Sequence, residues 1–228
     1  MKRVLFLLSI VTVVCLPSLA QDQPRWEFFG GYTFGRLDTH DTQNAINLSS
    51  TLAGVPPLNF GNHMTANGWN LSLQQNPAHW FGLVFDISGM YNRKDLNLAS
   101  LLSTPPPAGT TVILRLKPSL YTFTGGPQFT YRKSSRIQPF GRVLLGLAYM
   151  RANANELVND VPQFSPEVSV HDTAFDFTAG GGLDYHFQDH VAARVSADYI
   201  RTYLQSLTQN NLRVSVGLSY RWMSSPAF

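Results

Sequence analysis

The chain has 228 residues, 17 basic and 14 acidic side chains, a formal net charge of +3 and one cysteine. Two of the basic residues, Lys2 and Arg3, sit at the extreme N-terminus, so the remainder carries 15 bases against 14 acids and gives no case for nucleic acid as a partner. Beyond Cys15 there is no thiol, which excludes a disulfide framework and a cysteine nucleophile.

Met1-Lys-Arg3 precedes an apolar run from Val4 to Val14 broken only by Ser9 and Thr12, and Pro17 ends it ahead of Ser18 and Ala20. Small residues at those two positions are what a signal peptidase reads, so residues 1–20 are expected to be a cleaved secretory signal, too short to cross a bilayer as a helix. Val14 stands before Cys15 where a lipoprotein signal carries a small residue, so the cysteine reads as apolar filler. The mature domain is then residues 21–228, with strands within 25–222 and a short tail over 223–228. Past residue 20 no apolar run approaches the ~20 residues a spanning helix needs; the longest, Val143 to Met150, is broken by Gly146.

From Arg25 onward the dominant pattern is alternation. A first strand from Arg25 to Leu37 puts Trp26, Phe28, Gly30, Tyr32 and Phe34 on one face and Glu27, Phe29, Gly31, Thr33 and Gly35 on the other. Asp38 to Ala66, rich in Asn, Thr, Gly and Pro, reads as a loop. A second strand, Asn67 to Gln75, sets Trp69, Leu71 and Leu73 against Asn70, Ser72 and Gln74. After a tight turn at Asn76-Pro-Ala78, a third strand runs from His79 to Tyr91, with Phe81, Leu83, Phe85 and Ile87 opposite Gly82, Val84, Asp86 and Ser88.

Asn92 to Thr110 reads as a second long loop around Pro105-Pro-Pro107. A fourth strand lies between Thr111 and Tyr131, where Pro118 and Pro127 suggest a bulge because proline cannot donate to a ladder. After the charged turn Arg132–Arg136, a fifth strand, Ile137 to Met150, sets Val143, Leu145, Leu147 and Tyr149 against Arg142, Leu144, Gly146 and Ala148. Arg151 to Thr173 reads as a third, acidic loop. The sixth strand, Ala174 to Phe187, is the clearest alternation: Phe175, Phe177, Ala179, Leu183, Tyr185 and Phe187 oppose Asp176, Thr178, Gly180, Gly182, Asp184 and His186. A turn at Gln188-Asp-His190 leads to the seventh, Val191 to Ile200, with Arg194, Ser196 and Asp198 on its polar face. Arg201 to Asn210 is a moderate loop before the eighth strand, Asn211 to Trp222.

The connections run long, short, long, short, long, short, medium. Long loops on one rim and short turns on the other are the asymmetry of a membrane barrel, and an even strand count returns both termini to the short-turn side. A soluble β-sandwich, the runner-up, has no need of it. The fold class is therefore all-β: an eight-stranded antiparallel up-and-down transmembrane β-barrel. Apolar faces then meet lipid, and the same register places Glu27, Asp86, Asp176, Asp184 and Asp198 inside with Arg142, Arg194, Arg213 and Arg221. An eight-stranded barrel is just wide enough for side chains to fill, so such charges must pair or be hydrogen-bonded. A near-balanced set of acids and arginines fits a plugged lumen better than a wide aqueous pore. Glycines on the same inner face, such as Gly31, Gly180 and Gly217, leave room for the guanidinium groups and ease tight curvature.

These features resemble the small eight-stranded outer-membrane barrels of the OmpA type, within the outer membrane protein β-barrel domain family. The resemblance is carried by Trp26-Glu-Phe-Phe-Gly-Gly-Tyr-Thr-Phe34, Gly180-Gly-Gly-Leu-Asp-Tyr185, the Arg194 to Tyr199 segment and the last strand. In that strand Ser215, Gly217, Tyr220 and Trp222 resemble the C-terminal signal read by the barrel-assembly machinery. Family members that anchor to the cell wall carry a further peptidoglycan-binding domain; this chain stops six residues after Trp222. The resemblance implies an outer-membrane location, contact with outer-membrane lipid and lipopolysaccharide, and a monomer.

Some outer-membrane barrels are lipid-modifying enzymes or rim proteases, which need a converging nucleophile and base. The adjacent pairs His40-Asp41, His171-Asp172 and Asp189-His190 lie in segments read as loops or turns, and neighbours in a strand would face opposite ways. His186 and His190 have a spacing that holds a metal on a helix, but here they span a turn. Neither a catalytic site, a cofactor nor a metal is expected. The expected function is a non-enzymatic structural or surface-interaction barrel with a charge-plugged lumen, its external loops carrying any extracellular ligand. A narrow low-conductance channel is the first alternative and a lipid-modifying enzyme the second.

Overall fold

Period-two alternation persists along eight long strands because each has one face suited to lipid and one to a filled interior. The structure is a computed structural model that describes residues 24–53, 61–97, 107, 109–134, 136–159, 161–162, 168–204 and 207–223. Residues 1–20, expected to be the signal, and 224–228 of the expected tail lie outside the described residues. In chain order the elements are β1 (Pro24–Asp38), α1 (His40–Ala53), β2 (His63–Ala78), β3 (Phe81–Tyr91), β4 (Lys94–Asn97), β5 (Val112–Thr130), β6 (Ile137–Val158), β7 (Val161–Pro162), β8 (Val168–His186), β9 (Val191–Leu204) and β10 (Leu207–Met223). Around the wall the order is β1, β2, β3, β5, β6, β8, β9, β10, each antiparallel to its neighbours. Pairing of β1 with β10, from Pro24↔Met223 to Arg36↔Leu212, closes the cylinder. Closure removes the unpaired edge that could not survive in hydrocarbon.

Four segments depart from the expectations of the sequence. Asp38 to Ala66 was expected to be a loop, yet it contains α1 and the start of β2. The Asp38 carboxylate accepts the His40 N–H at 3.0 Å, capping the helix, and Gln43 donates to Asn47 one turn on at 2.8 Å. Asn- and Ser-rich composition concealed that helix. In the second long segment, β4 pairs with Ile113 to Leu116 of β5. The third was expected to be loop from Arg151 to Thr173, but β6 and β8 continue through most of it, from Arg151↔His171 to Ala154↔Val168. The fourth, Arg201 to Asn210, is largely strand as well, since β9 and β10 pair up to Leu204↔Leu207. These extensions mix polar, small and apolar residues without strict alternation, so they carry little amphipathic signal to read.

The bulge expected in the proline-bearing strand is absent. β5 and β6 keep one register from Val112↔Val158 to Thr130↔Phe140, skipping only Gly126 and Pro127. Pro118 falls in the gap between Tyr91↔Ser119, where β3 ends, and Lys94↔Leu116, where β4 begins. Its carbonyl accepts the Asn92 N–H across that gap at 3.0 Å. A residue's N–H and C=O point to the same side of a strand, so the missing donor falls where the partner strand is interrupted.

Outside, apolar and aromatic side chains stay uncovered: Phe28 is 50% exposed, Tyr32 54% and Trp222 69%. That surface runs around the whole wall, which water would not tolerate and lipid requires. Among the described residues no helix is long and apolar enough to cross a membrane.

Candidate functional site: the charged lumen

Inward-facing positions fill the barrel in layers. Nearest the short-turn rim is a cluster built on Glu27. The Arg132 guanidinium donates to it at 2.7 Å, that of Arg194 at 3.3 Å and the Asn76 amide at 3.1 Å, while Arg221 lies 3.6 Å away. Arg194 also grips Asp184 with two hydrogen bonds, at 2.6 and 2.7 Å, and lies between the rings of Phe29 and Phe140, 5.5 and 4.7 Å from their centroids. Two-pronged contact and stacking suit a planar guanidinium where a lysine would offer a single point charge. Gln138 accepts from Arg221, and Gln74 and Gln128 continue the polar contacts.

At mid-height, four residues form a closed ring. Arg142 donates to both Asp198 oxygens at 3.0 and 2.7 Å and to Asp86 at 3.3 Å. Arg213 donates to Asp198 at 3.2 and 3.0 Å and to Asp86 at 3.0 Å. Asn70 supplies a further donor to Asp86 at 2.9 Å. Asp86 stands on β3 and Asp198 on β9, four strands apart in either direction, so the ring crosses the full width of the lumen. Gly180 makes space for it, since a Cβ there would collide with the Asp198 carboxylate.

Just beyond the ring is Asp176. The Thr178 hydroxyl donates to it at 2.9 Å, and its other oxygen has no partner among the described residues. Above it Leu37, Ala66, Met90, Leu120, Ala148 and Ile200 pack as an apolar layer. Met90, Leu120 and Ala148 each precede in sequence an outward tyrosine, Tyr91, Tyr121 and Tyr149, so this layer lies level with those rings.

The structure therefore brings eight of the nine charged lumen candidates into two ion-paired clusters and leaves Asp176 outside them. It adds Arg132, which the sequence pattern had assigned to a charged turn. The clue was available: Gln128 and Thr130 face inward, and two residues further along the same face is Arg132. With it the buried set holds five acids (Glu27, Asp86, Asp176, Asp184, Asp198) and five arginines (Arg132, Arg142, Arg194, Arg213, Arg221).

Of the assembly-signal candidates, Ser215 faces inward and donates to Thr33 at 3.1 Å, and Gly217 sits opposite Gly31 at the seam. Tyr220 and Trp222 face outward. His186 is buried on the lumen side, whereas the His190 ring stacks on Tyr220 outside, so the two do not converge. His171 and Asp172 lie on opposite faces of β8; the Asp172 carboxylate accepts the Thr173 N–H.

Above the bilayer-spanning part, Arg115 holds Asp95 with two bonds at 2.9 and 3.0 Å, and Arg93 adds a third at 3.4 Å. The hydrogen bond from Arg115 lowers the Asp95 carboxyl to about 2. A depressed carboxylate stabilises the fold above its ordinary range, and that contribution disappears as pH falls through about 2. A carboxyl-carbon NMR titration is expected to give Asp95 a midpoint near 2; one near the ordinary 3.8 means the pair does not form.

Among solved structures, the chain is similar to Ail, the attachment invasion locus protein of Yersinia pestis, in complex with the heparin analogue sucrose octasulfate. The match covers 86% of this chain and 97% of that one at 15% identity, with a TM-score of 0.52. It is also similar to neisserial surface protein A, over 86% of this chain and 97% of that one at 9% identity and a TM-score of 0.49. For OprG from Pseudomonas aeruginosa the figures are 90%, 99%, 11% and 0.47. At such identities the likeness speaks to fold alone. No curated protein matches the chain. The family model for the outer membrane protein β-barrel domain matches residues 6–221. The chain belongs to the outer membrane protein β-barrel domain family.

Proposed function

We propose that this protein is a non-enzymatic outer-membrane barrel, closed to solutes, that acts in membrane structure and surface interaction. The observation that carries this reading is the Asp86–Arg142–Asp198–Arg213 ring, whose side chains meet from opposite walls. An interior of eight strands leaves little width beyond its side chains, and the apolar layer above the ring offers an ion no polar contact. Recognition falls to α1 and the strand extensions on the long-hairpin rim, which stand clear of the bilayer on a rigid scaffold. Ail was captured with a sulfated saccharide; for this chain an extracellular ligand of that rim is part of the proposal. Export through a signal at residues 1–20, recognition of Ser215, Gly217, Tyr220 and Trp222 by the assembly machinery, and a monomeric state complete it.

The test is single-channel recording. The chain from residue 21 is refolded, its folding checked by a heat-dependent gel shift, and inserted into a planar bilayer. We expect no conductance steps, or only rare ones. Steady discrete steps would overturn the closed-lumen reading in favour of a narrow channel.

A further inference from the structure

The Glu27 cluster, at the short-turn end of the lumen, holds more positive charge than negative. Arg132, Arg194 and Arg221 meet only Glu27 and Asp184 there, whereas the mid-height ring balances two arginines against two carboxylates. Arg221 is the arginine left over. Among the described residues its sole ion-pair partner is Glu27, at 3.6 Å, and its Nε donates to nothing. Its side-chain hydrogen bond goes to the uncharged Gln138. The residue is 5% exposed, and a buried cation without a full counter-charge is costly.

Two more buried side chains beside it lack partners. Neither ring nitrogen of His186 nor the Ser219 hydroxyl has a hydrogen-bond partner among the described residues, and both side chains are buried. The sheet register brings them together. His186 pairs with Ala192 and Ala192 with Ser219, so only a methyl stands between them on the inner face of β9. Arg221 follows Ser219 by two residues, on the same inward face of β10. Backbone bonds fix these strand ends: the His186 N–H donates to the Arg136 carbonyl at 2.8 Å, and the Arg221 N–H to the His190 carbonyl at 2.7 Å. A neutral imidazole carries an N–H in either tautomer, and a guanidinium Nε is only ever a donor. His186 and Arg221 thus present buried donors where the protein supplies no acceptor. Water would satisfy the donors but leave the excess charge; an anion answers both.

We propose that Arg221, His186 and Ser219 form a binding site for a small free oxyanion of the phosphate class, entering from the short-turn mouth of the lumen. An oxyanion turns several acceptor oxygens toward separate donors, and its charge-assisted bond to a guanidinium is the strong kind. Lys133 and Arg136, exposed on the turn between β5 and β6 at the same rim, raise the local concentration of anions. The three donors face the lumen, behind the wall, so the anion comes from solution and not from a lipid headgroup. This site goes beyond the function proposed above, and it stands whether or not the ring closes the passage.

The refolded mature chain in nonionic micelles, at constant ionic strength, is titrated with inorganic phosphate. Binding is read from the amide shifts of His186, Ala192 and Ser219 and from the His186 ring nitrogens. Saturable shifts confined to that end of the barrel are expected. Arg221→Gln leaves two arginines against two carboxylates, so it should fold, and it should weaken phosphate binding by roughly tenfold or more, the loss of one charge-assisted bond. Should it not fold, H186L/S219A keeps every arginine and carboxylate and should also weaken binding, whereas Lys133→Gln on the exposed turn should leave affinity nearly unchanged. Absence of saturable shifts overturns the proposal, as does a folded R221Q or H186L/S219A that binds phosphate like the wild type. Chloride that competes on equal terms overturns it by revealing a charge patch without oxyanion preference. Dihexanoyl phosphatidylglycerol that shifts the same amides overturns it by making lipid the source.

Discussion

Replacing Asp198 by alanine is expected to destabilise the folded barrel by about 3–5 kcal/mol, the usual cost of removing one partner from a buried ion pair. Asp198 is the acceptor that Arg142 and Arg213 share, through four hydrogen bonds between 2.7 and 3.2 Å. Without it both guanidinium groups stay buried with Asp86 as their sole carboxylate, and the uncompensated charge, not the lost attraction, sets the cost. The check is the urea midpoint of unfolding in micelles, followed by planar-bilayer recording of the folded fraction. Charge reversal at either Asp198 or Arg142 should act in the same direction and more strongly, and should open the lumen in molecules that still insert. Trp69→Ala on the lipid face alters insertion and stability but leaves the lumen closed. If the Asp198 and Arg142 variants fold, stay closed and lose no stability, the ring has neither role.

The same physics gives the ring a limited place in net stability. Desolvating four charges offsets most of their mutual attraction, so replacing all four by leucine and methionine of similar volume should be close to neutral. That variant should remain closed, because packed apolar chains fill a narrow lumen as well as ions do. The ring's distinct contribution is specificity: it pins β3, β6, β9 and β10 to one another across the interior, and a one-residue slip of any of them would carry its charge to the lipid face.

How much of this was written in the sequence depended on the solvent at each height. Between the girdles one face meets lipid and the other does not, so alternation marks strand faces there as far as Phe29 and Phe140, the inward rings against Arg194. Outside the bilayer no face of β6 or β8 has to meet lipid, the alternation fades, and strand from Arg151 to Val158 looks like loop. Helix α1 was hidden for a related reason: nine of the fourteen residues from His40 to Ala53 are polar, and only the Asp38 cap announced it. The nine charged candidates could be placed inside from parity alone. Which acid meets which arginine depends on the stagger around a closed cylinder, which one strand's pattern does not carry. Asp176 shows the difference, since its parity is that of Asp184 yet no arginine reaches it.

Closure of the cylinder makes the second large effect. Gly217→Val is expected to cost at least about 3 kcal/mol, the upper end of ordinary overpacking, and to abolish the heat-shifted folded band. Gly217 faces Gly31 where β10 meets β1, and a Cβ there would run into the Gly30 carbonyl oxygen and the Gly31 Cα, with the Gly30 carbonyl carbon at 2.9 Å. On the other side of the pair, a Cβ on Gly31 would meet the Val216 carbonyl oxygen at 2.5 Å and the Phe29 ring at 2.7 Å. Flexible side chains can turn aside from such a contact; the backbone of the partner strand cannot, short of parting the seam. Gly125→Ala is the comparison, since its Cβ would meet only the Val84 carbonyl oxygen at 3.4 Å and the edge of the Phe85 ring at 4.0 Å, and the folded band should persist. Hydrogen exchange should then show lost protection in Gly217→Val concentrated in β1 and β10, the one neighbouring pair in the wall whose members are not successive wall strands along the chain. Equal losses in the Gly125 and Gly217 variants would mean that glycine content in general, and not close backbone approach at the seam, limits the fold.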